Sequence, residues 1–129
     1  MFKDSQAFSS FSVDDLQKAK DFYGSTLGVE VIENAETLNL KLSGGGNVFT
    51  YPKGKGHSPA TFTVLNFQVD DIDAAVDDLR SLGIELESYG GEIATDDKGI
   101  FRHGGASGGP SIAWFKDPAG NILSVIESK

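Results

Sequence analysis

Phe11-Ser12-Val13-Asp14-Asp15-Leu16 and Phe67-Gln68-Val69-Asp70-Asp71-Ile72 are two versions of one hexapeptide, 56 residues apart. The likeness continues outward. Ala19 answers to Ala75 and Asp21 to Asp77. After a one-residue slip, Gly28-Val29-Glu30-Val31 answers to Gly83-Ile84-Glu85-Leu86. A strand, a cap, a helix and an exit turn recurring in one order mark a duplicated supersecondary unit. Upstream of each Asp pair, apolar and polar residues alternate, as a half-buried strand requires. Phe11, Val13, Leu65, Phe67 and Val69 share one face; Ser10, Ser12, Asn66 and Gln68 share the other. Asp14 or Asp70 is expected to cap the helix that follows, its carboxylate accepting from free N–H groups. Leu16, Ala19, Tyr23 and Leu27 in one copy, and Ile72, Ala75, Val76 and Leu79 in the other, give one-sided helices. Gly28 and Gly83 are the expected stops.

Extended segments follow each helix, at 29–33, 37–42 and 47–51 in the first half and at 84–88, 111–116 and 121–127 in the second. Asp117-Pro118-Ala119-Gly120 supplies a tight turn, with Pro setting φ and Gly free to take a positive φ. The fold class is therefore α+β. It consists of two tandem βαβββ modules, at 7–51 and 62–127, joined by a connector at 52–61 within a single domain spanning 1–129. Residues 96–110 form the longest loop and contain five of the chain's 16 glycines. A loop of that length in a small domain suggests function or mobility.

Composition narrows the function. The chain has 129 residues, 11 Lys plus Arg against 19 Asp plus Glu, and a net charge of −8. Such a balance opposes nucleic-acid binding, which needs a basic patch to displace counterions. With no Cys, disulfides, thiolate metal sites and a cysteine nucleophile are excluded. The first residues lack a basic, then apolar, leader, and no stretch approaches the ~18 apolar residues of a membrane span. A cytoplasmic protein with no membrane partner is expected.

Two βαβββ units, with Val13-Asp14-Asp15-Leu16, Phe22-Tyr23 and Leu27-Gly28 in the first and Phe115-Lys116-Asp117-Pro118-Ala119-Gly120-Asn121 near the end, resemble the vicinal oxygen chelate superfamily. That group includes glyoxalase I, bleomycin-resistance proteins and extradiol dioxygenases. The resemblance covers about residues 7–127. It implies curled mixed sheets forming a cup, helices outside, a ligand in the cup, and a homodimer. Catalytic members hold a divalent metal there, a Lewis acid that polarises a substrate oxygen. Carried over by position, the ligands would be Phe8, Val64, Ser124 and a residue near Val48, with Thr50 next on the same face. None is a usual donor for such a site, and no neighbour one residue away is His or Glu. No metal and no cofactor are expected. The metal-dependent activities are thereby put in doubt together.

Alternation along the strands places Phe8, Ser10, Ser12, Val48, Thr50, Val64, Asn66, Gln68, Ile122 and Ser124 on the concave side. One of Trp114 and Phe115 joins them; alternation does not choose which. A face mixing apolar residues with Ser, Asn and Gln suits a pocket that orients a small organic ligand. His57, in the connector, and His103, in the glycine-rich loop, read as solvated side chains. As rivals stand an alternative metal site, or His103 acting as an acid or base with Arg102 beside it. Arg102 and Lys98 read as solvated charges, or as groups closing over an anion. Gly105-Ala106-Ser107-Gly108-Gly109 fits the nucleophile-elbow pattern without the strand before it or a downstream His, and reads as coincidence. Gly54-Lys55-Gly56 lacks the spacing of a phosphate loop.

The leading expectation is a metal-independent protein of the glyoxalase/bleomycin-resistance type that sequesters or carries a small organic ligand. The alternative is a glyoxalase-like lyase or isomerase with non-standard residues, His103 and Arg102 among them. A third possibility is an interaction module whose cup is filled by its own side chains.

Overall fold

A computed structural model describes residues 1–103 and 108–128. Gly105, Ala106 and Ser107 of the elbow-like run lie outside the described residues. Two units divide the chain, Met1–Pro59 and Ala60–Lys129.

In the first unit, β1 (Ser9–Val13) leads into α1 (Leu16–Lys20), and β2 (Glu30–Asn34), β3 (Thr37–Lys41) and β4 (Asn47–Pro52) follow. The sheet order is β1-β4-β3-β2. β1 and β4 run parallel; the other pairs are antiparallel. The second unit repeats this plan with β5 (Thr63–Gln68), α2 (Ile72–Ser81), β6 (Ile100–Phe101), β7 (Ser111–Lys116) and β8 (Ile122–Glu127). Its order is β5-β8-β7-β6, again with the first and last strands parallel. The duplicated hexapeptide thus marks two βαβββ modules.

The helices start one residue later than the sequence suggests. Asp15 and Asp71, not Asp14 and Asp70, are the caps. Their extended backbones (φ −134° and −137°) aim each carboxylate at the N–H three residues on, Lys18 and Ala74, at 3.1 Å. The first residue of each pair merely completes the exit from the strand. α1 continues as a wider π-wound stretch over Asp21–Thr26, where Leu27 N–H reaches Phe22 O at 2.8 Å. The four-residue steps from Ala19 to Tyr23 to Leu27 suit this looser winding. Ala19 and Tyr23 are buried, as are Phe11, Val13, Leu38, Leu40, Val48 and Thr50 of the sheet. The Tyr23 ring stands 5.9 Å from Phe11 and 5.2 Å from Phe22. In the second unit, Ile72, Val76 and Leu79 bury alongside Leu65, Ile100, Ala113, Phe115, Leu123 and Val125.

One expected strand is absent. Residues 84–88 are irregular and, among the described residues, make one backbone bond to the sheet edge, from Glu87 N–H to Trp114 O at 2.7 Å. The edge position beside β7 goes to β6, drawn from within the expected 96–110 loop. Asp96 organises that hairpin. Its carboxylate accepts from the N–H groups of Lys98 and Ile100, each at 2.9 Å. Gly99 is forced: φ is +85°, and a Cβ there would fall 2.7 Å from Leu86 Cβ.

The Asp117-Pro118-Ala119-Gly120 turn closes as expected, around a buried carboxylate. Asp117 accepts from Ala119 N–H and Asn121 N–H at 2.9 Å and from Asn121 Nδ2 at 3.0 Å. Among the described residues no helix is long and apolar enough to cross a membrane.

Candidate functional site

Each sheet has one face covered by its helix and one open face. Register decides which side chain lies where, because laterally paired residues share a face. In the first unit Phe11 pairs with Thr50 and Leu38 with Thr50, whereas Ser10 pairs with Phe49, Ser12 with Tyr51 and Asn39 with Phe49. The open face therefore carries Phe8, Ser10, Ser12, Asn39, Phe49 and Tyr51. Phe8 lies 6.0 Å from Phe49, edge on, and Phe49 stacks on Tyr51 at 6.4 Å. Phe8 is 70% exposed.

Two expected site residues of this unit are corrected. Val48 and Thr50 point to the helix side and are 5% and 0% exposed. In Asn47-Val48-Phe49-Thr50-Tyr51 both phases of the alternation carry apolar bulk, so polarity along the strand does not choose a face. The parallel pairing with β1 does, and it turns Phe49 and Tyr51 outward.

In the second unit Asn66 pairs with Ser124, Ser124 with Trp114 and Ile122 with Lys116. Asn66, Gln68, Trp114, Ile122 and Ser124 thus share the open face. Phe115, 1% exposed, packs on the helix side, which corrects its place among the ligand-binding candidates. Val64 is the extra residue of a bulge between Thr63 and Leu65. The bulge leaves Thr63 able to accept from Trp114 Nε1 at 3.1 Å. Trp114 also meets Tyr89 edge on at 5.4 Å and stacks against Phe101 at 6.2 Å. Burial, then the nearby Glu87 carboxylate, pushes the Tyr89 hydroxyl above its ordinary pKa. Ser124 Oγ donates to Asn66 Oδ1 at 2.5 Å.

The charged candidates are placed elsewhere. Arg102 donates to both oxygens of Asp73 on α2, at 2.8 and 2.9 Å, and through Nε to Asp96 at 2.9 Å. Lys98 joins Asp73 at 3.0 Å and Asp77 at 3.2 Å. Bonds from Arg102, then Lys98, hold the Asp73 carboxyl well below the usual carboxylate range. In β6, Ile100 is buried on the helix side and Phe101 reaches Trp114, so alternation returns Arg102 to the helix side. Neither Arg102 nor Lys98 is a simply solvated charge: both join an ion-pair cluster on α2.

His103 is exposed, with a left-handed backbone (φ +53°), and its N–H donates to Ser111 Oγ at 2.9 Å. His57 is not a loose connector side chain. It is half-buried, its Nδ1 2.7 Å from Ser12 Oγ on the open face of the first unit. A cleft of about 260 Å³ opens at the ends of β5 and β8, lined by Gln68, Val69, Asp70, Ile126, Glu127 and Ser128. Glu127 there accepts from Ile72 N–H at 2.8 Å. That bond fastens the first turn of α2, and the cleft is the packing space around it.

Sequence reasoning missed Asn39, Phe49, Tyr51, Thr63, Tyr89 and Phe101. The alternate aromatics at 49 and 51 were the available signal.

The sequence matches the model of the Glyoxalase/Bleomycin resistance protein/Dioxygenase superfamily over residues 7–125. The chain belongs to that superfamily. Among solved structures it is similar to TnmS3, an antibiotic binding protein from Streptomyces sp. CB03234, at 22% identity and a TM-score of 0.67, covering 98% of each chain. It is similar to the fosfomycin resistance protein FosX from Listeria monocytogenes, complexed with Mn(II) and sulfate, at 13% identity and a TM-score of 0.69, covering 98% of this chain and 91% of that one. A glyoxalase/dioxygenase from Nostoc punctiforme gives 17% identity and a TM-score of 0.66, covering 99% and 94%. At these identities the likeness shows the fold. No curated protein sequence matches.

A metal of the kind the superfamily implies does not fit the residues present. The positions carried over hold Phe8, the bulged Val64, Ser124 and, with the register corrected, Phe49 rather than Val48. Among the described residues no three His, Cys, Asp or Glu side chains gather into a metal-holding group.

Proposed function

We propose that this protein binds a small organic ligand without a metal, on the open face of a sheet. The observation that carries the reading is what stands at the positions that would hold metal ligands. They carry aromatic, aliphatic and hydroxyl side chains: Phe8 and Phe49 form an aromatic trio with Tyr51 in one unit, and Tyr89, Phe101 and Trp114 form another in the unit of Val64 and Ser124. Aromatic surface beside a few fixed polar groups is the composition of an organic-ligand site. Likeness in fold to an antibiotic binding protein supports the same reading. The net charge of −8 favours a neutral or cationic ligand,. The rival lyase or isomerase reading loses Arg102 to the α2 cluster.

The test combines two measurements on untagged protein. After exposure to Zn, Ni, Mn and Fe and then dialysis, elemental analysis is expected to find no stoichiometric metal. A small-molecule screen read by Trp114 fluorescence is expected to find saturable binding without turnover. A stoichiometric metal together with glyoxalase-type activity would overturn the reading. A homodimer in the cytoplasm is the setting proposed, with light scattering as the check on the dimer.

A further inference from the structure

We propose that the ion pairs between α2 and residues 96–102 form a salt-sensitive latch, and that this segment, with β6 inside it, opens as one piece while the rest of its sheet stays folded. The latch lies on the helix side of the second unit and stands apart from the ligand reading above.

The segment is thinly tied to the sheet. Among the described residues β6 meets β7 at two positions, Ile100 opposite Ala113 and Phe101 opposite Ile112. β7 is paired with β8 along all six of its residues. Local opening starts where ladders are short and at a sheet edge. Beyond its two pairs, β6 is held by the buried Ile100, by the Phe101 ring against Trp114, and by charge. α2 carries Asp73 and Asp77 one turn apart, on one face. Arg102 reaches both oxygens of Asp73, at 2.8 and 2.9 Å. Lys98 bridges Asp73 and Asp77, at 3.0 and 3.2 Å. Arg80 adds a longer bond of 3.4 Å to Asp97 O. Asp96 ties the segment to itself, accepting from Lys98 N–H, Ile100 N–H and Arg102 Nε. The segment is therefore braced internally and fastened to α2 through its charges.

Asp73, Asp77, Asp96, Lys98 and Arg102 have side chains 30–66% exposed. Mobile ions reach such pairs, and the screening length falls from about 10 Å at 0.1 M salt to about 3 Å at 1 M. Successive residues of a strand face opposite ways, so Arg102 on the helix side and Phe101 on the open face move together. Opening lifts Phe101 from Trp114 and bares the edge of β7. Burial of Ile100 keeps the opened form a minority with or without Arg102. Ligand affinity is therefore not its measure; access to position 100 is.

The chain has no Cys, so Ile100→Cys places a single thiol under the latch, and Val125→Cys places one in the core of β8. Iodoacetamide, which is uncharged, labels either thiol once it is uncovered. Each rate is taken relative to that of the same variant unfolded in urea at the same salt. From about 0.05 M to about 1 M NaCl, labelling of Ile100→Cys is expected to rise about five- to thirtyfold, the combined weight of a few partly exposed ion pairs. Labelling of Val125→Cys is expected to stay level or fall, because salt also eases the self-repulsion of a chain of net charge −8,. Adding Arg102→Gln to Ile100→Cys is expected to speed labelling at low salt and to remove most of the salt response. Arg102→Lys, which keeps the charge, is expected to retain that response. In the unsubstituted chain, hydrogen exchange of the Ile100 amide is expected to follow the same salt dependence, so the test stands even if Ile100→Cys does not fold. A flat salt response at position 100, a parallel rise at positions 100 and 125, or an Arg102→Gln variant that labels no faster would overturn the latch and leave the binding reading untouched.

Discussion

Replacing Thr50 by Val should make this protein more stable, against the usual run of core substitutions. Thr50 is fully buried, paired laterally with Phe11 and Leu38, and among the described residues its hydroxyl has no hydrogen-bond partner. A buried hydroxyl left unsatisfied costs about 1–3 kcal/mol in desolvation. Valine keeps the β-branched shape and replaces the hydroxyl by a methyl, so the packing against Phe11 and Leu38 is retained. Allowing for imperfect fit of that methyl, a gain of about 1 kcal/mol is expected, equivalent to roughly 3–5 °C in melting temperature for a chain of this size. Urea unfolding should show a higher midpoint with an unchanged slope, which assigns the change to stability rather than to the compactness of either state. Thr50→Ala, which opens a cavity instead, should be less stable than Thr50→Val. Ligand affinity should be unmoved, since Thr50 lies on the helix side. A destabilised Thr50→Val, or one with altered ligand binding, would refute both the unsatisfied hydroxyl and the face assignment.

Asp117→Ala would strip the acceptor from three donors, Ala119 N–H, Asn121 N–H and Asn121 Nδ2. A loss of about 3 kcal/mol or more is expected, by thermal or urea unfolding. Gly99→Ala combines a positive φ with a 2.7 Å contact on Leu86, and should destabilise by about 1–3 kcal/mol by the same measurement. The folded-state pKa values of Asp73 and Asp96 are lowered. For Asp73 the chief cause is its bonds to Arg102 and Lys98. For Asp96 burial pulls upward, but bonds from Ile100 N–H, Arg102 and Lys98 N–H prevail. Depressed carboxyls add stability that is complete above their unfolded value near 3.9 and is lost as pH falls through the folded value. Stability should therefore decline below about pH 4, and Arg102→Gln should flatten that decline while leaving ligand binding intact.

The repeat was legible because its signals are local. A strand of alternating polarity, a carboxylate that reaches an N–H three residues on, and a glycine at a helix exit each act within a few residues. What stayed hidden depends on pairing. The face of β4 is set by the partner strand, not by its own polarity, so Phe49 and Tyr51 were overlooked while Val48 and Thr50 were favoured. Trp114 and Phe115 could not be told apart until Ser124 and Leu123 were found opposite them. β6 lay inside a glycine-rich loop, where two residues fixed by the Asp96 carboxylate carry no periodic signal. The role of Arg102 required knowing that α2 presents Asp73 to it across 29 residues of sequence. Of the site, the polar row of Asn66 and Ser124 could be read from alternation, while the aromatic residues that flank it could not.

In both units the first strand and the last are hydrogen-bonded neighbours. Because each pair runs parallel, the chain leaves a unit on the strand next to the one it entered by, at the opposite end of the sheet. Every strand finds its partners inside its own unit, so no register is set by the linking segment. Lengthening that segment beyond His57 leaves both ladders as they are. A four-stranded piece with that property can be copied end to end without reworking its ladders, and the two matching hexapeptides are what such a copying event would leave behind.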